Sequence, residues 1–295
     1  MSVLCFAIIY LVWGSTFLAI RIGVHEVPPF LLAGIRFTLA GIVLFAWALA
    51  RRQRVPSRRE WGGIALLAVP FFVVNYGLVF WAEQRVPSGL TAVMMATIPA
   101  FTALSEIVIL GTQRPTPRLS LALAVGLAGV VVLVSRGLNL AGETVDPAGA
   151  IAIIVGALCW SVATALAKKV PLPDSRVMSS GAQMLAGGLF LLLAAGALGE
   201  FQRFHPAAVS RDAWLALLYM TVAGSIVAFT AFVWLVHHES PTRVGTYAYV
   251  NPVVAVLLGY FFAGEPLGLR TIVGSICVLV GVVLITTTPR LRTPS

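Results

Sequence analysis

Apolar residues fill long, nearly unbroken stretches of this chain, and polar residues gather in the short gaps between them. Ten windows stand out, at 3–22, 29–50, 61–82, 88–110, 119–135, 148–167, 178–199, 212–236, 241–263 and 269–287. Each approaches the roughly 20 residues that a helix needs to cross the hydrocarbon core of a bilayer. Proline punctuates most gaps: Pro28-Pro29, Pro56, Pro87, Pro115 with Pro117, Pro147, Pro171 with Pro173, Pro206, Pro241 and Pro266. In lipid every backbone polar group needs an internal partner, so windows of this length are helices. Interior Gly14, Pro70 and Pro99 argue against the alternating strands of about ten residues that build membrane barrels. Pro252 lies inside the ninth window and predicts a kink there. The fold class expected is all-α, a polytopic membrane protein with ten transmembrane helices.

Composition sharpens this picture. Of 295 residues, 59% are hydrophobic and 11% charged, with a mean hydropathy of +0.96; soluble domains carry about 25% charged residues. Ten spans consume roughly 200 residues, which leaves no stretch for a soluble catalytic or binding domain of ordinary size. The net charge of +9 would suggest nucleic acid in a soluble protein; here it marks topology, and no nucleic-acid partner is expected. Alternate loops carry Arg51, Arg52, Arg54, Arg58, Arg59, Arg114, Arg118, Lys168, Lys169, Arg176, Arg243, Arg290 and Arg292 on one side. The other side has Arg85, Arg136, Arg203, Arg211 and Arg270. The basic excess places the first side, with both termini, in the cytoplasm. The RRQRVPSRR segment (51–59) reads as a topology anchor, or as a contact for anionic lipid. No Lys or Arg precedes the apolar run from Val3, so the first window reads as a retained span rather than a signal peptide. Cys5, Cys159 and Cys277 sit in apolar runs without CxxC spacing and read as packing residues.

The chain also repeats itself. Trp81 and Trp234 are 153 residues apart, as are Pro99 and Pro252, and WAEQRVPSGLTAVMMATIPAFTAL aligns with WLVHHESPTRVGTYAYVNPVVAVL between them. GLAGVVVLV (126–134) resembles VLVGVVLIT (278–286) at an offset of 152, and LVW (11–13) resembles LCW (158–160) at 147. Five spans per repeat is an odd number, so the halves insert in opposite senses. That is a transporter design, with the substrate site near mid-membrane at the repeat interface. The expected division is 1–140 for the first repeat and 148–289 for the second, inverted one.

YLVWGSTFLAIRIG (10–23), PPFLLAGIRF (28–37), VPSG (86–89), YAYVNPVVAVLLG (247–259) and GEPL (264–267) resemble the EamA family, the ten-helix branch of the drug/metabolite transporter superfamily. Within it the chain is most similar to YedA-type exporters and, for its fold, to YddG-type aromatic amino-acid exporters. The resemblance spans essentially the whole chain. It implies a bacterial inner-membrane exporter of small metabolites, two inverted five-helix bundles around a central cavity lined by the first, third, fourth, sixth, eighth and ninth spans. One departure matters: many members carry a Gly-Glu pair after the fourth span, where this chain has Gly111-Thr112.

Several residues are candidates for the site. Tyr10, Trp13 and Phe17 share one face of the first helix, which suits a cavity wall for aromatic or amphipathic substrates, ordinary helix packing, or an interfacial belt. Trp160 matches Trp13 in the second half. Asn75, Tyr76, Tyr247, Tyr249 and Asn251 set hydrogen-bonding groups inside apolar spans, where a buried amide must find a partner in protein, water or substrate. Asn251 equally serves to repair the kink at Pro252, which frees the carbonyl of Ala248. Ser225, Gln183 and Thr164 read as helix–helix contacts. Arg36, about eight residues into the second span, meets either a substrate carboxylate or a structural partner such as Glu26 or helix-end carbonyls. Arg21 snorkels from the end of the first span. Glu106, about one turn from the cytoplasmic end of the fourth span, is either a coupling-proton carrier or a structural charge.

No GxxxxGK[ST] loop, HExxH motif, arginine ladder or TVGYG filter occurs, so no nucleotide, metal or other cofactor is expected, and no catalytic residue is assigned. The expected activity is export of small metabolites, amino acids including aromatic ones, by alternating access, with the bilayer and a small-molecule substrate as partners. Toxic cations, drugs or sugars are the alternative cargo, and a membrane enzyme or lipid-handling protein the alternative class. A monomer is compatible with all of this. Reporter fusions at Met1 and Ser295 are expected to report the same, cytoplasmic, side; opposite sides would defeat the ten-span count.

Overall fold

A computed structural model of the chain describes residues 1–111, 117–134, 145–239 and 247–286. Among the described residues, ten long helices follow the ten apolar windows: α1 Ser2–Val24, α2 Pro29–Ala50, α3 Arg58–Ala82, α4 Ser88–Leu110, α5 Pro117–Val134, α6 Pro147–Leu166, α7 Arg176–Ala197, α8 211–238, α9 Tyr247–Ala263 and α10 Leu269–Thr286. Seven of them are long and apolar enough to cross a membrane as they stand; α5, α9 and α10 contain shorter apolar stretches. No strand occurs among the described residues. The start of the ninth window (241–246), the repeat ends at 135–140 and 287–289, Thr112, Arg114, Arg136, Arg243, Arg290, Arg292, and the side chains of Tyr249 and His237 lie outside the described residues.

Helix ends follow local chemistry. Ser57 and Glu60 form a reciprocal capping box at the start of α3. Asp146, Ser175 and Ser210 accept from backbone N–H groups in the first turns of α6, α7 and α8. Gly111 and Gly264 follow α4 and α9 in the left-handed region, at φ of +64° and +63°, where a Cβ would be strained. Two features were not expected: a short helix Glu200–Arg203 with a 3₁₀ turn Pro206–Ala208 before α8, and π-helical stretches inside α3 (Val69–Tyr76), α4 (Glu106–Leu110) and α8 (Met220–Val227). Those in α3 and α8 occupy matching places in the two repeats.

The packing is symmetric under exchange of each helix with its counterpart five positions later. α2 packs on α7, α4 on α9 and α5 on α10; α1 packs on α8 and α9, and correspondingly α6 packs on α3 and α4. Counterparts run antiparallel. A Cβ on Gly34 would meet Leu192 and one on Gly41 the backbone of Leu185, while Gly181 abuts Phe45 and Gly188 abuts Thr38. Along α5 and α10, Gly129 faces Gly274 and Gly281 faces Ala122 and Gly126. These are inverted five-helix repeats. Lipid supplies no hydrophobic drive for helix association, so small residues that let backbones approach do that job.

A Cβ at Gly41 would lie 2.4 Å from the Leu185 nitrogen, whereas one at Gly62 meets nothing within 4 Å. Gly41→Ala is therefore expected to lose about 1–3 kcal/mol of stability by overpacking, and Gly62→Ala to be neutral or slightly stabilising. Thermal unfolding in detergent checks both.

Candidate functional site

The WGS stretch of α1 joins α1 to α8 and α9 in three consecutive residues. The Trp13 indole donates to the Gly224 carbonyl at 3.1 Å, one of those offered by the widened π-helical turn of α8. Gly14 lets α9 approach, since a Cβ there would lie 2.7 Å from the Cβ of Val254. The Ser15 hydroxyl meets the Tyr219 hydroxyl at 2.6 Å. Trp13 then packs its ring 5.3 Å from Tyr247, edge to face, and 5.3 Å from Phe232. The Asn251 amide, with its nitrogen turned toward them, donates to the carbonyls of Tyr10 and Tyr247 at 3.3 Å each. It thus ties α1 to α9 across the turn that Pro252 disturbs. The Tyr10 ring lies 5.6 Å from Phe6.

The other half repeats the arrangement on α3, α4 and α6. Trp160 packs against Phe71 at 4.8 Å and Tyr76 at 5.9 Å. Where the Asn251 carbonyl faces Gly14, the Ile98 carbonyl accepts from Ser161 at 3.2 Å; both relations follow the repeat offsets. Asn75 lies in the π-helical stretch of α3 against Gly156, whose missing side chain makes room for it. Asn75 is buried, and neither its oxygen nor its nitrogen has a hydrogen-bond partner among the described residues. The structure therefore gathers the aromatic candidates in two groups, Tyr10–Trp13–Tyr247–Asn251 and Asn75–Tyr76–Trp160. Thr164 and Gln183 bond within their own helices, to Trp160 and Ser179.

Arg36 lies beside the second of these groups, 3% exposed. Its Nε donates to Ser225 Oγ at 3.0 Å, and Gly224 leaves space for its Nη2. The guanidinium carbon stands 4.8 Å from the Phe37 ring, 5.8 Å from Tyr76 and 6.0 Å from Phe80, cation–π contacts that partly replace water. Nη1 has no partner among the described residues. Of the partners open to it, Glu26 is not the one it meets. Glu26 instead accepts from the backbone N–H and hydroxyl of Ser210, and those two bonds hold its carboxyl below the usual carboxylate range.

The end of the bundle opposite the N-terminus is latched by charge. Arg21 does not snorkel. It turns inward, donating to the carbonyls of Glu83 and Val86 at 3.1 and 2.9 Å, with its Nε 3.4 Å from Glu265. Glu265 accepts from Ser88 N, Ser88 Oγ and Gly89 N at 2.6, 2.7 and 3.0 Å. It folds back over Gly259, where a Cβ would sit 2.2 Å from its Oε2. At the N-terminal end Glu106 pairs with Lys168, and Lys169 donates to the Ile109 carbonyl. Glu106 thus has a fixed cationic partner.

Sequence reasoning missed Glu83 and gave Ser225 too small a part. Ser225 reads as one more small polar residue in an apolar helix until its bond to Arg36 is seen. Glu83 reads as a loop charge; its signal was its place directly after a span, in a turn of few residues. No group of three His, Cys, Asp or Glu suited to a metal occurs among the described residues. The site offers aromatic faces, one buried guanidinium (Arg36) and two buried amides (Asn75 and Asn251), a set suited to binding rather than bond-making.

The EamA-like transporter family matches residues 1–135 and again 147–287. The uncharacterized inner membrane transporter YedA of Escherichia coli (strain K12) is 40% identical over 261 residues, 88% of this chain and 82% of that protein. An uncharacterized transporter of Archaeoglobus fulgidus is 28% identical over 284 residues, 96% of each chain. A solved crystal structure, 22% identical, superposes with a TM-score of 0.62 over 96% of this chain and 95% of that one, a likeness of fold.

The two ends should respond differently to mutation. Glu265→Ala strips Arg21, Ser88 and Gly89 of a buried acceptor and is expected to cost about 3–5 kcal/mol. Glu106→Gln faces a Lys168 whose side chain is 54% exposed, and should cost no more than about 1 kcal/mol. Unfolding midpoints in detergent give the comparison; equal losses would refute the unequal construction of the two ends.

Proposed function

Because the chain belongs to the EamA-like transporter family, we propose that it is a secondary exporter of small metabolites, with amino acids, including aromatic ones, as substrates. It works in the bacterial inner membrane with both termini in the cytoplasm, so the end latched by Arg21 and Glu265 faces outward. The observation that carries this reading is unmet hydrogen-bonding capacity at the repeat interface. Arg36 Nη1 and both amide atoms of Asn75 are buried without partners among the described residues, beside the rings of Phe37, Tyr76, Phe80 and Trp160. A stable fold does not leave such groups bare without cause, since each costs about 1–3 kcal/mol. An amino acid answers them: its carboxylate to the guanidinium, its side chain to the rings. A fixed cation favours an anionic group on the cargo and disfavours cationic drugs.

Alternating access fits the packing. The glycine-lined contacts of α2 with α7 and α5 with α10 lie on the symmetry relation between the repeats. They can stay intact while α1, α3, α4, α6, α8 and α9 close first one end and then the other. Burial of the Arg21–Glu265 pair belongs to the state closed outward.

Asn75 separates a transport role from a packing role. An amide that merely packs without partners is a burden, so Asn75→Ala should leave stability equal or higher. If the amide contacts cargo, flux per folded molecule should fall by about tenfold. The assay is saturable exchange of labelled L-phenylalanine in proteoliposomes, competed by a panel of amino acids, sugars and organic cations. Chemical conversion of the label, non-saturable leakage, or failure of every amino acid to compete would overturn the reading.

A further inference from the structure

Glu83 follows the last residue of α3 and is fully buried. Neither carboxyl oxygen has a hydrogen-bond partner among the described residues. The neighbouring cation is already committed, because Arg21 gives its guanidinium to two backbone carbonyls and to Glu265. The charges that face Glu83 are Arg21 from α1, Arg36 from α2 and Glu265 from the turn between α9 and α10. Arg85, in its own turn, stacks over Trp81 instead. α6, which packs against the end of α3, carries no Asp, Glu, Lys, Arg or His.

Tyr76, Phe80 and Glu83 recur at i, i+4 and i+7, one face of α3. Arg36 stands over the first two rings of that face, and Glu83 comes on the next turn. One guanidinium nitrogen and one carboxyl group, both buried and both without partners, thus occupy one aromatic-floored strip. Among the described residues they do not form an ion pair with one another. A strip with an open donor at one end and an open acceptor at the other is complementary to a zwitterion.

We propose that Glu83 receives the ammonium group of an α-amino acid whose carboxylate is held by Arg36, and that it exchanges that group for a proton. In the empty protein Glu83 is a neutral acid, since a dry carboxylate without donors is far costlier than a carboxyl. When the ammonium arrives, the Glu83 O–H bond breaks heterolytically, the proton passes to water, and the carboxylate left behind accepts the N–H donors. When the amino acid departs, a proton returns. Substrate and proton compete for one group, which is the elementary requirement for proton-driven export. This inference rests on the exporter reading above and names the chemistry of its cargo.

The test uses L-phenylalanine and 3-phenylpropanoate, the same molecule without its ammonium group, on the full chain in proteoliposomes. Wild type is expected to exchange phenylalanine, to be inhibited by 3-phenylpropanoate about tenfold or more weakly, and to release protons on binding phenylalanine. Glu83→Gln should raise KM for phenylalanine about tenfold, bring the two molecules near parity and abolish proton release. Glu83→Asp should keep the preference, which separates recognition from a folding defect. If wild type does not distinguish the two molecules, or Glu83→Gln keeps both preference and proton release, the inference is overturned while amino-acid export stands. If wild type exchanges no amino acid at all, both fall.

Discussion

One carboxylate holds together the end of the molecule opposite the N-terminus. Glu265 leaves the second repeat in a glycine-made turn, takes three N–H and O–H donors at the first turn of α4, and faces Arg21 from α1. A carboxylate taken out of water costs several kcal/mol unless its lone pairs are filled, so this arrangement persists only as a complete set. It fixes other choices in turn. Residue 259 must lack a Cβ, and residue 264 must reach a positive φ. Ser88 and Gly89 must offer their N–H groups at a helix start. Three stretches that look unrelated along the chain, the IRIG end of α1, VPSG and GEPL, are therefore parts of one contact.

The middle of the molecule obeys a different constraint, imposed by lipid. Helices gain little there by burying one another's apolar side chains, and gain instead by close backbone contact and by hydrogen bonds between helices. Trp13, Gly14 and Ser15 use both means within three residues. Their counterparts Trp160 and Ser161 make the equivalent contacts with α3 and α4, with a hydroxyl where the first repeat has a glycine. Arg36, Asn75 and Glu83, three of the buried residues with unused polar capacity, lie beside the repeat interface.

The hydrophobic period made the helices legible, and the recurrence of Trp81, Pro99 and their partners made the duplication legible. Trp13 and Trp160 stood out because large aromatic residues recur at matched depth. What remained hidden depends on azimuth and on distant partners. The acceptor of Arg36 is Ser225, 189 residues away; Glu26 lay nearer along the chain but is held by Ser210. An arginine at a span end looks the same whether it snorkels or turns inward, and only the carbonyls of Glu83 and Val86 decide for Arg21. The π-helical turns of α3 and α8 have no compositional mark, yet one supplies the carbonyl for Trp13 and the other holds Asn75.

The latches also differ in kind. Arg21 corresponds to Lys168 at the LVW–LCW offset, but Glu265 has Thr112 at the matching place 153 residues earlier, and the cation there meets Glu106, through an exposed lysine. A duplicated scaffold with identical ends would have two resting orientations of equal depth. Unequal ends give it a preferred one, set by a handful of side chains at the turns. For a carrier that alternates as proposed, the resting orientation is therefore an evolvable trait, resettable by substitutions at two turns.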